Sequence, residues 1–181
     1  MAESKSNPPL RLHIGGWEVR EGWKIVDIQA RSGVDHIGSA TDLSDFESGS
    51  VAEIYASHIY EHLSYVSELE IALKEAFRVL RAGGLIRVGV PDLEVLCRLM
   101  LDKKLTYPAR FATMRMIYGG QTDAYDYHKA GFTYEILHEF LTRAGFKGVQ
   151  RVKSFGLFKD ATTLNIEGNA ISLNVSAMKP M

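Results

Sequence analysis

The segment that decides the fold spans residues 78–92 and reads RVLRAGGLIRVGVPD. It closes a stretch whose apolar positions recur every three or four residues, which predicts an amphipathic helix over 68–80. A basic Gly-Gly turn follows, and residues 85–90 are apolar enough to form a strand buried on both faces. Asp92 then suits the N-cap of another helix, which we predict to run to about residue 101. A helix, a buried strand and a helix in direct succession are typical of a parallel α/β sheet.

Shorter strands and helices occupy most of the remaining sequence. Strands are predicted at 10–14, 24–28, 34–37, 51–56, 148–155 and 170–177, and helices at 108–118 and 133–144. The last two strands alternate apolar and polar side chains and can pair antiparallel. We therefore predict a three-layer α/β sandwich, with a Rossmann-like, mostly parallel sheet and a C-terminal antiparallel strand pair.

Composition narrows the classes of partner. With 181 residues there is room for one domain with a sizeable core, and residues 1–9 read as a loose tail. The balance of 21 basic and 22 acidic residues gives no surplus that would favour nucleic acid or an anionic membrane. No apolar run approaches the ~20 residues that a membrane-spanning helix needs. Cys97 is the only cysteine, which excludes an intrachain disulfide and is typical of a reducing cytoplasm.

Six short segments, taken in order, resemble the class I S-adenosylmethionine-dependent methyltransferases, particularly small predicted members of the type 11 group. The segments are LHIGG (12–16), GWKIVD (22–27), DL with a following Phe46 and Ser50 (42–50), ASHIYEHL (56–63), RVLRAGG (78–84) and FTYE to AGF (132–146). The likeness extends over about residues 10–178. It implies one methyltransferase-like domain at 10–181, with an insert at about 101–130 on the side of the methyl acceptor.

The resemblance implies that S-adenosylmethionine lies at the ends of the first strands. Gly15 and Gly16 would let backbone N–H groups approach a ligand, and Asp27 would accept hydrogen bonds from ribose hydroxyls. An ordinary tight turn and a solvated acid at a strand end are the alternative interpretations. The predicted cofactor-binding residues are His13, Gly15, Gly16, Trp17, Asp27, Ile28, Ala40 and Ser57.

Three features depart from the family pattern. The third glycine of the turn is missing, and Ser39 stands where many relatives carry an acid. Only the residues from Trp17 to Trp23 separate the first two strands, whereas a crossover between parallel strands takes a dozen or more residues and usually includes a helix. These departures favour an alternative hypothesis, a non-catalytic binding or scaffold module whose cofactor cleft has collapsed. A Rossmann-type dehydrogenase fits less well, because it too needs the third glycine.

A histidine-glutamate-histidine group follows the fourth strand. If a helix starts there, His58, Glu61 and His62 share one face and could hold a divalent metal. Some methyltransferases that this chain resembles carry a metal cluster here, which would polarise a substrate hydroxyl. The string His-x-x-Glu-His is also the inverted zinc-protease signature, which requires a long helix in a protease fold. A third interpretation is that Glu61 and His62 only cap and orient the loop.

The predicted reaction is methyl transfer from S-adenosylmethionine to a small-molecule hydroxyl or amine. Positioning supplies most of the catalysis in such an in-line displacement. His58 or His128 is the predicted catalytic base, the second because it lies in the acceptor-side insert. His128 could instead be a further metal ligand or simply a histidine of the loop. The expected partner is a small-molecule acceptor, not nucleic acid or a membrane, and a homodimer is left open.

Overall fold

The computed structural model describes residues 9–181, so the predicted tail lies, apart from Pro9, outside the described residues. The strands are β1 (Leu10–Ile14), β2 (Lys24–Asp27), β3 (His36–Ile37), β4 (Val51–Ser57), β5 (Leu80–Pro91), β6 (Lys147–Val152), β7 (Asn165–Ile166), β8 (Asn169–Ala170) and β9 (Ser172–Met178). The helices are α1 (Glu68–Val79), α2 (Leu93–Leu101), α3 (Tyr107–Tyr118) and α4 (Tyr134–Arg143), with short 3₁₀ turns at Tyr60–His62 and Ala161–Thr163. The division of the chain into a tail and one domain stays a prediction.

Seven strands form one sheet in the order β3-β2-β1-β4-β5-β9-β6. The pairs among β1 to β5 are parallel, whereas β9 runs antiparallel to both β5 and β6. The last strand therefore inserts between β5 and β6, and a separate hairpin joins β7 to β8. This arrangement confirms the predicted fold class, including the antiparallel pair at the C-terminal end.

The Gly-Gly segment is not the tight turn that the sequence predicts. β5 begins directly after α1, at Leu80, and both Gly83 (φ +71°) and Gly84 lie within it. The register with β4 shifts at this point, so the extra residues are absorbed as an irregularity of the strand. Backbone hydrogen bonds hold that irregularity, from Gly83 to the carbonyl of Lys179 (3.0 Å) and from Lys179 to the carbonyl of Gly84 (2.9 Å).

One face of the sheet packs against α1 and α4 and contains the main core. The period of three and four in α1 places Leu69 and Leu73 toward the sheet, and both are fully buried. Leu137 and Leu141 of α4 pack into the same cluster. The strand residues of this core are alternate positions of the central strands, listed as Leu12, Ile14, Ile54, Ala56, Ile86, Val88, Val90, Leu173, Val175 and Ala177.

The opposite face is covered mainly by a loop. Among the described residues there is no helix between β1 and β2, as the short connection predicts. The segment after β6 instead lays Phe155, Leu157 and Phe158 over this face, where they pack with Trp23 and Tyr55. A loop therefore forms the layer that crossover helices form in a regular doubly wound sheet.

The N-caps predicted for the later helices are confirmed. The Asp92 carboxylate accepts the N–H groups of Glu94 and Val95 at the start of α2, and the Thr133 hydroxyl accepts that of Ile136 at the start of α4. Helices α2 and α3 pack against each other in a smaller apolar cluster. In the part of the chain that the structure describes, no helix is both long and apolar enough to cross a membrane.

Candidate functional site

Most of the predicted site residues lie at one edge of the sheet. Gly15 follows β1, Asp27 ends β2 and Ser57 ends β4, and because these strands are parallel their carboxyl ends meet at the same edge. The strand order reverses between β1 and β4. Open α/β sheets bind ligands in the crevice at such a switch point.

The glycine turn after β1 is required by packing. Gly15 adopts φ +70°, and its N–H donates to the carbonyl of Val26 at 2.8 Å. A Cβ at Gly15 would lie 2.0 Å from the Cδ1 atom of Ile59, and a Cβ at Gly16 would lie 2.4 Å from the His13 ring. No larger residue fits without movement of these neighbours. Whether the turn also contacts a ligand stays a prediction.

Arg31 links the two parts of the predicted cofactor site. Its Nη2 atom donates to Asp27 Oδ2 at 2.7 Å and also to the carbonyl oxygen of Gly16. The other carboxylate oxygen of Asp27 accepts the N–H of Gln29 at 2.8 Å. The guanidinium carbon lies 4.0 Å from the centre of the Trp17 ring, which is 78% exposed. Asp27 and the Gly16 carbonyl are thus within reach of one guanidinium group.

The other residues predicted to bind the cofactor occupy varied environments. His13 is buried on the loop-covered face, with its ring 4.0 Å from that of Phe158 and 5.0 Å from that of Tyr55. Ala40 is buried in the main core, whereas Ile28 is largely exposed. Packing accounts for His13 and Ala40 in this structure, and their role as cofactor ligands stays a prediction.

His58 follows β4 in an uncommon backbone conformation. Its φ of +54° is one that residues other than glycine rarely adopt. The Ser172 hydroxyl donates to the carbonyl of Ala161 (2.7 Å), so it accepts the Nε2–H of His58 (2.9 Å). His58 therefore presents Nδ1 toward Glu61, whose Oε1 atom is 3.2 Å away.

The prediction that His58, Glu61 and His62 share a helix face is wrong. Only Tyr60–His62 is helical, and it forms a single 3₁₀ turn, too short to align positions i and i+4. The inverted zinc-protease arrangement is lost for the same reason. Potential metal-ligating atoms of Glu61, His62 and His128 instead lie within 4.8 Å of one another. His128 was predicted separately, as a base or a further ligand.

Burial and neighbouring charges shift the ionisation of this group. Burial raises the pKa of the Glu61 carboxyl, but the contact with His58 and, at the acidic pH where this carboxyl titrates, the positive charges of His62 and His128 outweigh it, so the net pKa is lowered. Burial also lowers the pKa of His128, against the opposing effect of Glu61. Glu61 is therefore ionised and His128 neutral near pH 7.

Three residues that the sequence did not single out shape this edge. Arg31 bridges Asp27 and Gly16, Ile59 fills the space beside Gly15, and Ser172 fixes the orientation of His58. Arg31 lies shortly after the motif that ends at Asp27, and Ile59 lies within the quoted segment 56–63, but Ser172 comes from the last strand. No sequence pattern signals a contact between β9 and the end of β4, because it arises only from the strand order.

Comparison with known proteins identifies the architecture. A family model described as a methyltransferase domain matches residues 24–88, a range that extends from β2 into β5. The chain has the fold of the class I methyltransferases. The resemblance noted in the sequence is thereby confirmed. No curated protein shows significant sequence similarity to the chain.

Several solved structures share this methyltransferase fold at low sequence identity. A methyltransferase from Thermotoga maritima, described as a possible histamine N-methyltransferase, is 21% identical with a TM-score of 0.57, covering 93% of this chain and 81% of that one. The 1,6-didemethyltoxoflavin N1-methyltransferase of Burkholderia thailandensis, solved with S-adenosylhomocysteine, is 15% identical with a TM-score of 0.60, covering 96% and 72%. A putative methyltransferase of Haloferax volcanii, in a complex with the activator Trm112, is 13% identical with a TM-score of 0.57, covering 96% and 84%.

Proposed function

We propose that this protein transfers a methyl group from S-adenosylmethionine to a small molecule that carries a hydroxyl or an amine. The observation that carries the proposal is the juxtaposition of the Asp27 carboxylate and the Gly16 carbonyl at the switch point of the sheet. Both groups are hydrogen-bond acceptors, so a ligand that fits them offers donors to both.

The donors of the cofactor match these acceptors. The ribose hydroxyls of a nucleoside can donate to Asp27, and the ammonium of a methionyl group can donate to the Gly16 carbonyl. In the structure both acceptors are bonded to Arg31, whose guanidinium presents N–H donors to the same two oxygens. Arg31 therefore occupies the hydrogen-bonding positions that the ligand would take. Its side chain moves away from both acceptors when the ligand binds.

The catalytic work of the chain is mainly positional. S-adenosylmethionine supplies an activated methyl group, because its sulfonium sulfur is a good leaving group. Asp27 and the glycine turn would fix the nucleoside, and Ile59 lies between this turn and the group around Glu61. His58 or His128 would accept the proton of the acceptor, a contribution of about 10²–10⁴-fold to the rate. An acceptor enters from the side of α3 and the following loop, where His128 lies.

A second candidate function is a binding or scaffold module that does not catalyse methyl transfer. The ion pair of Asp27 with Arg31 favours it, because both side chains are mostly buried, with 13% and 16% exposed. In that case the arginine is a permanent structural partner of the acid. The two candidates differ in whether a nucleoside displaces Arg31.

Isothermal titration calorimetry with S-adenosylmethionine and S-adenosylhomocysteine tests the proposal. We expect both ligands to bind the wild-type protein, and Asp27→Asn to weaken binding roughly 10- to 100-fold, since charge-assisted hydrogen bonds contribute about 1.5–3 kcal/mol each. Asp45→Asn is the matched control, because the Asp45 side chain is 74% exposed and its ion-pair partner is His36. That control should bind like the wild type.

Arg31→Ala separates the two candidate functions. If Arg31 is displaced by the ligand, the variant should bind S-adenosylhomocysteine roughly three- to tenfold more tightly, because no ion pair has to be broken first. The absence of heat for both the wild type and Arg31→Ala, at millimolar ligand, would exclude the enzyme and leave the scaffold module.

A further inference from the structure

The Glu61 carboxylate is buried without hydrogen bonds. Its side chain is 1% exposed, and neither Oε1 nor Oε2 has a hydrogen-bond partner among the described residues. An ionised carboxylate in such a place requires a cation close by. His58 contacts Oε1 at 3.2 Å, and its Nε2–H already bonds to Ser172.

His128 reaches this carboxylate from a distant part of the chain. The N–H groups of Lys129 and Ala130 both donate to the backbone carbonyl of Glu61, at 2.7 and 3.1 Å, which fixes the loop against the 3₁₀ turn. The Asp126 carboxylate accepts three hydrogen bonds from Gly120 and Thr122 within the same loop. These backbone and side-chain hydrogen bonds therefore fix the position of the loop that carries His128.

The tautomer of His128 follows from its partners. Its Nδ1 atom lies 3.0 Å from the carbonyl oxygen of Met116, which only accepts, so Nδ1 carries the hydrogen. Nε2 then has a free lone pair and faces Glu61 Oε1 at 4.0 Å. A ring that donates one N–H to a backbone carbonyl and points its other nitrogen at a carboxylate is typical of a metal-ligating histidine.

His62 completes the group. Its ring stands edge-on to that of His128, with the centres 4.7 Å apart, and its Nδ1 atom is buried without a hydrogen-bond partner. Donor atoms at about 2.0–2.2 Å from one Zn²⁺ lie about 3–3.5 Å apart. The potential ligand atoms of Glu61, His62 and His128 are at most 4.8 Å apart. Small side-chain rotations would therefore bring all three to bonding distance of one ion.

We propose that Glu61, His62 and His128 bind a divalent transition metal of the Zn²⁺ type. The set has two imidazoles and one carboxylate, which leaves a fourth coordination position open to water or substrate, as in catalytic zinc sites. Compared with the set expected from the sequence, His128 takes the place of His58. His58 stays beside the site, with its Nδ1 atom 3.2 Å from Glu61 Oε1.

The metal also narrows the class of acceptor, an extension that rests on the proposed function. An acceptor hydroxyl in the open position would lose its proton more readily, because the ion stabilises the resulting oxyanion. The proton would pass to His58, the histidine beside the site that is not one of the proposed ligands. The acceptor oxygen then bonds to the methyl carbon while the carbon–sulfur bond breaks, and sulfur keeps the electron pair. The site therefore favours an oxygen acceptor over an amine.

Cobalt titration tests the metal site without S-adenosylmethionine. Protein freed of metal by chelator dialysis is titrated with Co²⁺, and the visible d–d absorption bands are recorded. We expect one Co²⁺ per chain, displaced by Zn²⁺, and a melting temperature that rises with Zn²⁺ concentration. His128→Asn and Glu61→Gln should weaken Co²⁺ binding more than about tenfold, the smallest loss expected even for an outer-shell change.

His138→Asn is the matched control, since His138 lies on α4 next to Tyr134 and outside this group. It should bind Co²⁺ like the wild type. Absence of stoichiometric binding to the wild-type protein, or unchanged binding in both His128→Asn and Glu61→Gln, would overturn the inference. Calorimetry of metal-free protein with S-adenosylhomocysteine reports on the proposed function separately, so failure of one leaves the other standing.

Discussion

His13 is a titratable side chain enclosed by aromatic rings. It is 2% exposed, and its Nδ1 atom has no hydrogen-bond partner among the described residues. Burial lowers its pKa from 6.5 to about 4, although Asp160 and Glu18 act in the opposite direction. Because the unfolded chain keeps the ordinary value, it binds more protons than the folded protein between about pH 6.5 and pH 4. Stability is therefore complete above that window and decreases as the pH falls through it.

Replacing His13 should remove this pH dependence. In His13→Phe, which keeps an aromatic ring beside Phe158, we expect the free energy of unfolding to decrease less on acidification than in the wild type. The difference should be on the order of 2 kcal/mol between pH 7.5 and pH 5. Urea unfolding at the two pH values measures it. Equal decreases in both proteins would show that His13 does not titrate in this range on unfolding.

The residues of the cofactor site were predictable to different degrees. Asp27 and the glycine turn follow strands with clear apolar patterns, so their place at the sheet edge could be read from the sequence. Arg31 lies in an irregular segment, and nothing local shows that its guanidinium reaches back to Gly16. Side-chain direction in a loop depends on packing that only the folded chain defines.

At the scale of elements, α1 ends with an unusual cap. The last carbonyls of a helix lack partners within the helix. Here the ammonium of Lys179, a residue that follows β9 and lies beside the start of β5, donates hydrogen bonds to them. Its Nζ atom donates to the carbonyls of Phe77 (2.7 Å), Arg78 (3.4 Å) and Leu80 (2.7 Å). A positive charge also suits the negative end of the helix dipole.

Lys179→Met should therefore destabilise the protein although the side chain is at the end of β9. We expect a loss of about 1–3 kcal/mol in the free energy of unfolding, the range for charge-assisted hydrogen bonds whose acceptors lose their partner. Lys74→Met serves as the control, because Lys74 is 66% exposed and makes one long ion pair. Chemical denaturation should show no more than about 0.5 kcal/mol for that variant.

The sequence indicated the helices and strands themselves well, because their apolar periods and N-caps are local properties. It misjudged the segment at Gly83, where a turn was expected and an irregular strand start is found. That outcome depends on hydrogen bonds with Lys179, a partner far along the chain. Pairing across the sheet is a nonlocal property that a local glycine pattern does not report.

At the scale of the whole molecule, the loop after β6 replaces a layer of helices. Phe158 is its most deeply placed ring, 7% exposed and within 5.2 Å, centre to centre, of Trp23, Tyr55 and His13. Asp160 fastens the same loop by accepting the Tyr55 hydroxyl at 2.7 Å. Both contacts seal one face of the sheet against water.

Phe158→Ala should weaken this seal. The expected loss is about 3 kcal/mol in the free energy of unfolding, because a large buried ring is removed and a cavity remains. Lys159→Ala, on an exposed neighbour, should change stability by less than about 0.5 kcal/mol. A similar small effect for Phe158→Ala in urea unfolding would mean that the loop is not part of the cooperative core.

The approach of His128 to Glu61 also belongs to this scale. Spacing in the sequence groups His58 with Glu61 and His62, whereas it offers His128 only as an unplaced further ligand. The fold instead fixes the loop after α3 against the 3₁₀ turn, through two hydrogen bonds to the Glu61 carbonyl. A set of side chains from separate segments is fixed by the topology and not by spacing.

The insertion of β9 between β5 and β6 has a consequence for how the protein is made. While the ribosome has delivered only residues up to about 171, β5 is an open edge and β6 has no strand to pair with. The unpaired apolar edge at β5 is then free to associate with other nascent chains. Completion of the sheet must wait for the emergence of Ser172–Met178, so the risk of aggregation is greatest before this strand has emerged.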